Sequence, residues 1–217
     1  MSSSAIKTNF FVAALPLFLV ILIDGVGLGL IAPVLTQMVI GDDSNFLPHT
    51  VSSHYRYLMY DIIFSSFMFC WFFGAAFLGD LSDQIGRKKS LFICLTGTFI
   101  GYLLSAFSIL LSSVLIFILG RIISGLTAGS QSIAQAAIID LSTDEHKARN
   151  IGIMLFFASL GFILGPLIGG FFSNPAIVHW FNTITPFYIA AGLAFLNIIL
   201  LWIFFRETFE KTKKVEI

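Results

Sequence analysis

The chain has 217 residues, of which 57% are hydrophobic and only 11% charged, where a soluble domain carries about 25% charged residues. Its 25 phenylalanines exceed what a close-packed core of this length would hold, so a water-soluble fold is excluded and the lipid bilayer is the expected solvent. Twelve basic residues balance twelve acidic ones, which argues against a nucleic-acid partner and against a polybasic lipid anchor.

About 20 apolar residues cross ~30 Å of hydrocarbon as a helix. Six stretches meet that length, near 10–40, 58–77, 91–111, 114–139, 151–172 and 184–205. Open sheet edges cannot face lipid, and the alternating ten-residue segments of a barrel are absent. The expected fold is an all-α membrane protein, a single bundle of six transmembrane helices over residues 1–217.

The first stretch is too long for a signal-peptide core and contains Asp24 and Pro33, so it reads as a retained span. A carboxylate at mid-span costs about a few kcal/mol when ionised, which makes Asp24 a functional candidate. It can bind and release a proton or pair with a cationic substrate; the structural alternative is an acid tied to a neighbouring helix. The polar loop 41–57 shows no site, and Asp61, near the outer end of the second span, reads as a headgroup-level acid.

After the second span, residues 79–89 run Gly-Asp-Leu-Ser-Asp-Gln-Ile-Gly-Arg-Lys-Lys. Gly79 and Gly86 permit a tight reversal, and a basic cluster opens the third helix. Cys70 and Cys94 lie inside apolar runs and read as small buried hydrophobes rather than a disulfide or ligand pair. A linker of a few residues makes the third and fourth spans antiparallel neighbours.

On the fourth span, helical spacing puts Arg121, Ser124, Gln131 and Gln135 on one face, suited to a water-filled cavity, with Gly125 and Gly129 on an adjacent one. Snorkelling to the outer surface is the other reading of Arg121. In the fifth span Gly161, Gly165 and Gly169 recur every four residues, a register for close helix contact, and Pro166 removes an intrahelical bond. His146, between charged residues, reads as a solvated loop histidine rather than a metal ligand. Asn197 and Trp202 of the sixth span either reach a cavity or pack.

Ten of the twelve basic residues fall on one side: Lys7, Arg87, Lys88, Lys89, Lys147, Arg149, Arg206, Lys211, Lys213 and Lys214. Arg56 lies on the other side, beside Asp42 and Asp43. Positive residues mark the cytoplasmic side, so a multi-pass protein of the inner (plasma) membrane with both termini cytoplasmic is expected.

The 79–89 string resembles, almost position for position, the signature loop of the major facilitator superfamily. Asp24 with the glycines and Pro33 that follow it resembles the first helix of that family's drug:proton antiporters, most closely the tetracycline-resistance efflux pumps, although Thr36 stands where many relatives carry a second proline. Residues 120–129 match the family's R-x-x-x-G-x-x-x-G pattern, and Gly161, Gly165, Pro166, Gly169 and Gly170 match a motif associated with antiporters. The resemblance covers the chain from the first span to Arg206, Glu207 and Thr208.

It implies that Asp83, Arg87 and Asp140, with Gly79, Gly86 and Lys88 around them, form a cytoplasmic gating network. It implies that Arg121 assists proton transfer, with Asp24, Gln131 and Gln135 in a coupling or substrate cavity. Full members have two six-helix halves, each a 3+3 repeat, so one half of the fold is expected, working with a second six-helix half, either a separate chain or another copy of itself. The leading reading is a truncated or split proton-coupled antiporter exporting drugs such as tetracycline. The alternatives are a non-transporting remnant or interaction module, and an uptake carrier for sugars or organic acids. Protons, a small-molecule drug and the bilayer are the expected partners. No P-loop, nucleophile elbow or HExxH string occurs, so neither an enzyme nor a cofactor is expected.

Overall fold

The computed structural model describes residues 3–41, 46–48, 50–205 and 207, with side chains from Phe10 onward except 12 and 13. Asp42, Asp43, Arg206, Thr208, Lys211, Lys213 and Lys214, and the side chain of Lys7, lie outside the described residues. The described chain is helical, with no strand. Its elements are α1 (Ser3–Leu35), continued by a π-helical turn (Thr36–Ile40), α2 (Ser53–Ile85), α3 (Arg87–Leu110), α4 (Val114–Thr127), α5 (Ser130–Asp140), α6 (Lys147–Phe172) and α7 (Thr185–Phe204). Among the described residues, six stretches are long and apolar enough to cross a membrane, α4 and α5 together making one of them.

Two departures from the expected spans have identifiable reasons. The second span runs from Ser53 to Ile85 instead of 58–77. Gly79 stays inside the helix, and the reversal is made by Gly86 alone, whose φ of +100° is open to glycine and costly to other residues. The fourth span is broken at Ala128 and Gly129. There the Thr127 hydroxyl bonds back to the carbonyls of Ile123 at 2.8 Å and Ser124 at 3.3 Å. Such bonds compete with the helical ladder, and a glycine follows that adds little helix propensity.

α1 is the most enclosed span. It packs along α6 through glycines on both helices: a Cβ added at Gly161 would lie 2.5 Å from the Leu22 carbonyl oxygen and 3.0 Å from the Gly25 Cα, and one at Gly165 would lie 2.7 Å from the Gly29 Cα. Backbones this close need both partners small. Two apolar clusters form the interior, one around Leu30, Val34, Phe117 and Phe187, the other around Leu17, Ile21, Leu91 and Leu201. Asp24 falls between them. Phe69, Phe73, Phe156, Leu167 and Trp202 are exposed, as side chains that meet lipid can be at no cost.

At the end of the bundle opposite Arg87, described residues of the loop expected to carry no site pack inward. Phe46 is buried against Phe117, ring centroids 5.5 Å apart. Arg56, expected on the side opposite the basic cluster, is buried, and it donates to the carbonyls of Val39 and Pro48, each at 2.9 Å. The bond to Val39 falls on the π-helical turn, whose widened ladder frees acceptors for such a donor.

Candidate functional site

The break in the fourth span matters because of what it turns inward. Ser130, the first residue of α5, is buried and donates its hydroxyl to Oδ2 of Asp24 at 2.6 Å. Asp24 is itself only 8% exposed, in the middle of α1. Its carboxylate thus faces the start of a helix, where backbone N–H groups favour negative charge. Beside it is a chamber of about 10 Å³ lined by the Asp24 carboxylate, the hydroxyl-bearing Thr98, Tyr102 and Ser124, and the rings of Phe67 and Trp71. With volume for no more than one water molecule, it is a mostly apolar space in which the carboxylate and the hydroxyls are the polar groups.

Arg121, three residues before Ser124 on α4, is 1% exposed, so it does not snorkel. Its guanidinium carbon sits 5.6 to 5.9 Å from the ring centroids of Phe67, Tyr102, Phe117 and Phe187. Nη2 is 3.4 Å from each of the Ser105 and Ser124 hydroxyls, and Nε has no hydrogen-bond partner among the described residues. Four ring faces and two long hydroxyl contacts hold this cation where a carboxylate would be usual. The sequence put Arg121 near Asp24; the structure gives the two charges separate partners.

Gln131 and Gln135 do not share the surroundings of Arg121. The break sets α5 in its own phase, and these amides line an open cavity of about 630 Å³ with Ser132, Met68, Trp71, Phe72 and Ala75. Trp71 is common to this cavity and to the Asp24 chamber.

A second cluster occupies the basic end of the bundle. Arg87 Nη1 is 2.8 Å from Asp83 Oδ1 and donates to the Ser82 hydroxyl at 2.6 Å. Its Nε is 3.5 Å from Asp140 Oδ2, an ion-pair distance longer than a hydrogen bond. Because Asp140 closes α5, one guanidinium ties together the ends of α2, α3 and α5. Glu207, which sequence reasoning did not single out, completes the cluster. Its carboxylate accepts from the backbone N–H groups of Arg87 at 2.9 Å and Lys88 at 3.1 Å, capping α3, while Lys88 Nζ donates to the Trp202 carbonyl at 3.2 Å. A Cβ at Gly86 would meet Glu207 Oε2 at 2.5 Å. The only sequence signal was an acid just past the last span, and no spacing rule connects it to residue 87.

The remaining candidates are structural in position. Gly161, Gly165 and Gly169 all face α1, Pro166 touches Gly29, and Gly170 has no neighbour within 4 Å of an added Cβ. Buried Asn197 packs on α1, and in the amide orientation that satisfies both neighbours its nitrogen donates to the Pro16 carbonyl at 3.3 Å and its oxygen accepts from Val20 N–H at 3.1 Å. Trp202 points outward at 70% exposure.

Six membrane-length helices around a mid-bundle acid, joined by this short glycine-arginine reversal, make a multi-pass membrane protein, and the chain belongs to the Major Facilitator Superfamily, whose family model matches residues 17–216. It is 32% identical over 188 residues to the tetracycline resistance protein, class B, of Escherichia coli, covering 86% of this chain and 42% of that protein. To the class H protein of Pasteurella multocida it is 30% identical over 193 residues, covering 88% and 44%. The solved structure of the proton:xylose symporter XylE superposes with a TM-score of 0.76 at 22% identity, covering 90% of this chain and 45% of that one, which establishes a common fold. The chain spans about half the length of the curated relatives it matches. These relatives are membrane resistance proteins and transporters rather than enzymes.

Proposed function

We propose that this chain is the N-terminal half of a proton-coupled antiporter exporting drugs of the tetracycline type, set in the inner (plasma) membrane with both termini cytoplasmic and completed by a second six-helix half. The observation that carries the reading is Asp24: a carboxyl enclosed mid-membrane whose hydrogen-bond partner, Ser130, sits at a helix break. Holding such a group costs free energy that packing alone would not select for, and a proton carrier requires it. The similarity to tetracycline resistance proteins supports the choice of cargo. The Arg87 cluster joins helix ends within this one half, so it fits a stiffened surface on which the second half docks and releases as the two bodies rock.

The test is drug accumulation in everted vesicles that contain this chain with a complementary second half and carry a pH gradient. Asp24→Asn keeps the shape and hydrogen-bonding capacity but cannot change charge, so accumulation should fall to the level of unenergised vesicles while the protein still inserts. Wild-type accumulation by Asp24→Asn would remove the coupling role; gradient-driven xylose uptake with no drug export would favour a sugar carrier. Orientation is tested separately in intact cells, in a Cys70→Ser/Cys94→Ala background. Thr50→Cys should react with an impermeant thiol reagent, and labelling at Lys147→Cys instead would invert the assigned sides.

A further inference from the structure

Three spaces surround the mid-membrane charges, and one helix face divides them. The open cavity of about 630 Å³ is walled by Met68, Trp71 and Phe72 of α2 and by Gln131, Ser132 and Gln135 of α5. Behind it lies the Asp24 chamber, walled by Phe67 and Trp71. A third space of about 10 Å³ touches Arg121 and is walled by Phe67 and Met68. Residues 67, 68 and 71 lie on one face of α2 by helical spacing. Trp71 alone borders both the open cavity and the chamber that holds the carboxylate. Its indole is held by a tilted ring contact with Phe67, centroids 6.3 Å apart, and among the described residues its N–H makes no hydrogen bond. Nothing polar fixes this plate in place.

We propose that Trp71 is the contact through which cargo in the open cavity reaches Asp24: a flat, ring-bearing molecule stacks on the indole and is oriented by the neutral amides of Gln131 and Gln135, and displacing the indole joins the cavity to the Asp24 chamber. The chemistry of the walls names the cargo class. The cavity offers aromatic faces, a thioether and uncharged hydrogen-bonding groups, with no charged side chain, so it suits a planar amphiphile rather than a small ion or a densely hydroxylated, ring-face-poor solute. Trp71 is then a positioning residue, acting on the proton site by opening or closing it. The inference rests on the reading of Asp24 as the coupling acid, but its test requires no transport, so the two can fail separately.

The test measures access to Asp24 in the full chain reconstituted in lipid nanodiscs. A water-soluble carbodiimide with an added amine converts the carboxyl to an amide, read as a mass gain on the peptide carrying Asp24 and absent in Asp24→Asn. Trp71→Ala should raise the labelling rate roughly tenfold, the size of effect expected when a local opening step of modest free energy is removed. Trp71→Phe, which restores a ring, should stay near wild type. Phe72→Ala, which enlarges the open cavity without touching the chamber, should also stay near wild type and serves as the control for general loosening. Tetracycline should raise the labelling rate in the wild type by displacing the indole, and Trp71→Ala, which lacks the stacking plate, should not respond. Equal rates in wild type and Trp71→Ala would overturn the proposal, as would equal acceleration by Phe72→Ala or a tetracycline response that persists in Trp71→Ala or in Gln131→Ala/Gln135→Ala.

Discussion

Arg87 and Arg121 belong to one bundle but are neutralised in opposite ways. Arg87 sits at the membrane edge, its side chain 13% exposed, between Asp83 and Asp140. Arg121 is fully enclosed, surrounded by four aromatic rings and two serines, with no ion pair to a carboxylate among the described residues. At the edge, water and headgroups keep the cost of a charge low, and an ion pair adds a little stability and a defined geometry. In the interior the cost of an enclosed ion is several kcal/mol, and four ring faces at about 0.5–2 kcal/mol each offset a comparable amount. The edge arginine therefore fits a structural tie. The interior arginine, like Asp24, is a charge held against a large desolvation cost.

The contrast is broken most strongly by removing the interior cation. Arg121→Met fills similar volume without charge and should stabilise the bundle by about 1–4 kcal/mol, measured as helix loss by circular dichroism in mixed micelles of rising dodecyl sulfate content. Gradient-driven drug accumulation by the assembled transporter should be lost in the same variant. Destabilisation by more than 1 kcal/mol would mean that the ring cage is a net source of stability and would erase the distinction between the two arginines.

At the edge the effect should be smaller. Arg87→Gln should destabilise by about 1 kcal/mol, and a cycle with Asp140→Asn should show a coupling of about 0.5–1 kcal/mol, because the Asp140 side chain is 39% exposed and screened. The charge-swapped pair Arg87→Asp/Asp140→Arg should recover part of the loss. Additive single effects would take Asp140 out of the cluster. The least change should come from Glu207→Gln, which keeps an acceptor for the α3 N-terminus but drops its charge: about 0.5 kcal/mol, read in the same titration and reduced by salt. No change at low salt would show that the cap contributes geometry alone.

How legible the site was depended on the range of the interaction that made it. Asp24, Arg87 and Asp140 stood out because a charge in or next to an apolar run has few explanations, and the short reversal at Gly86 could be read from residues adjacent in sequence. The pairing of Gly161 and Gly165 with Gly25 and Gly29 was half legible: the four-residue register announced a close contact and left its partner open. Gln131 and Gln135 were read onto the face of Arg121 by running an ideal helix through Gly129. A few hydroxyl-to-carbonyl bonds near Thr127 sufficed to interrupt that helix, and those bonds compete with the ladder at energies too similar for a periodicity argument to rank.

By itself the sequence determined that this protein lives in a bilayer, how many times it crosses, and which residues carry charge where charge is expensive, because hydrophobic length and the cost of burying an ion act residue by residue. The tertiary structure alone decided that Ser130 rather than Arg121 partners Asp24, that Glu207 closes α3 from 120 residues away, and that Trp71 stands between cavity and carboxyl. Those choices come from how helices dock across the bundle, where the winning contact is set by side-chain shape and the backbone approach that glycines allow, quantities that no local pattern encodes.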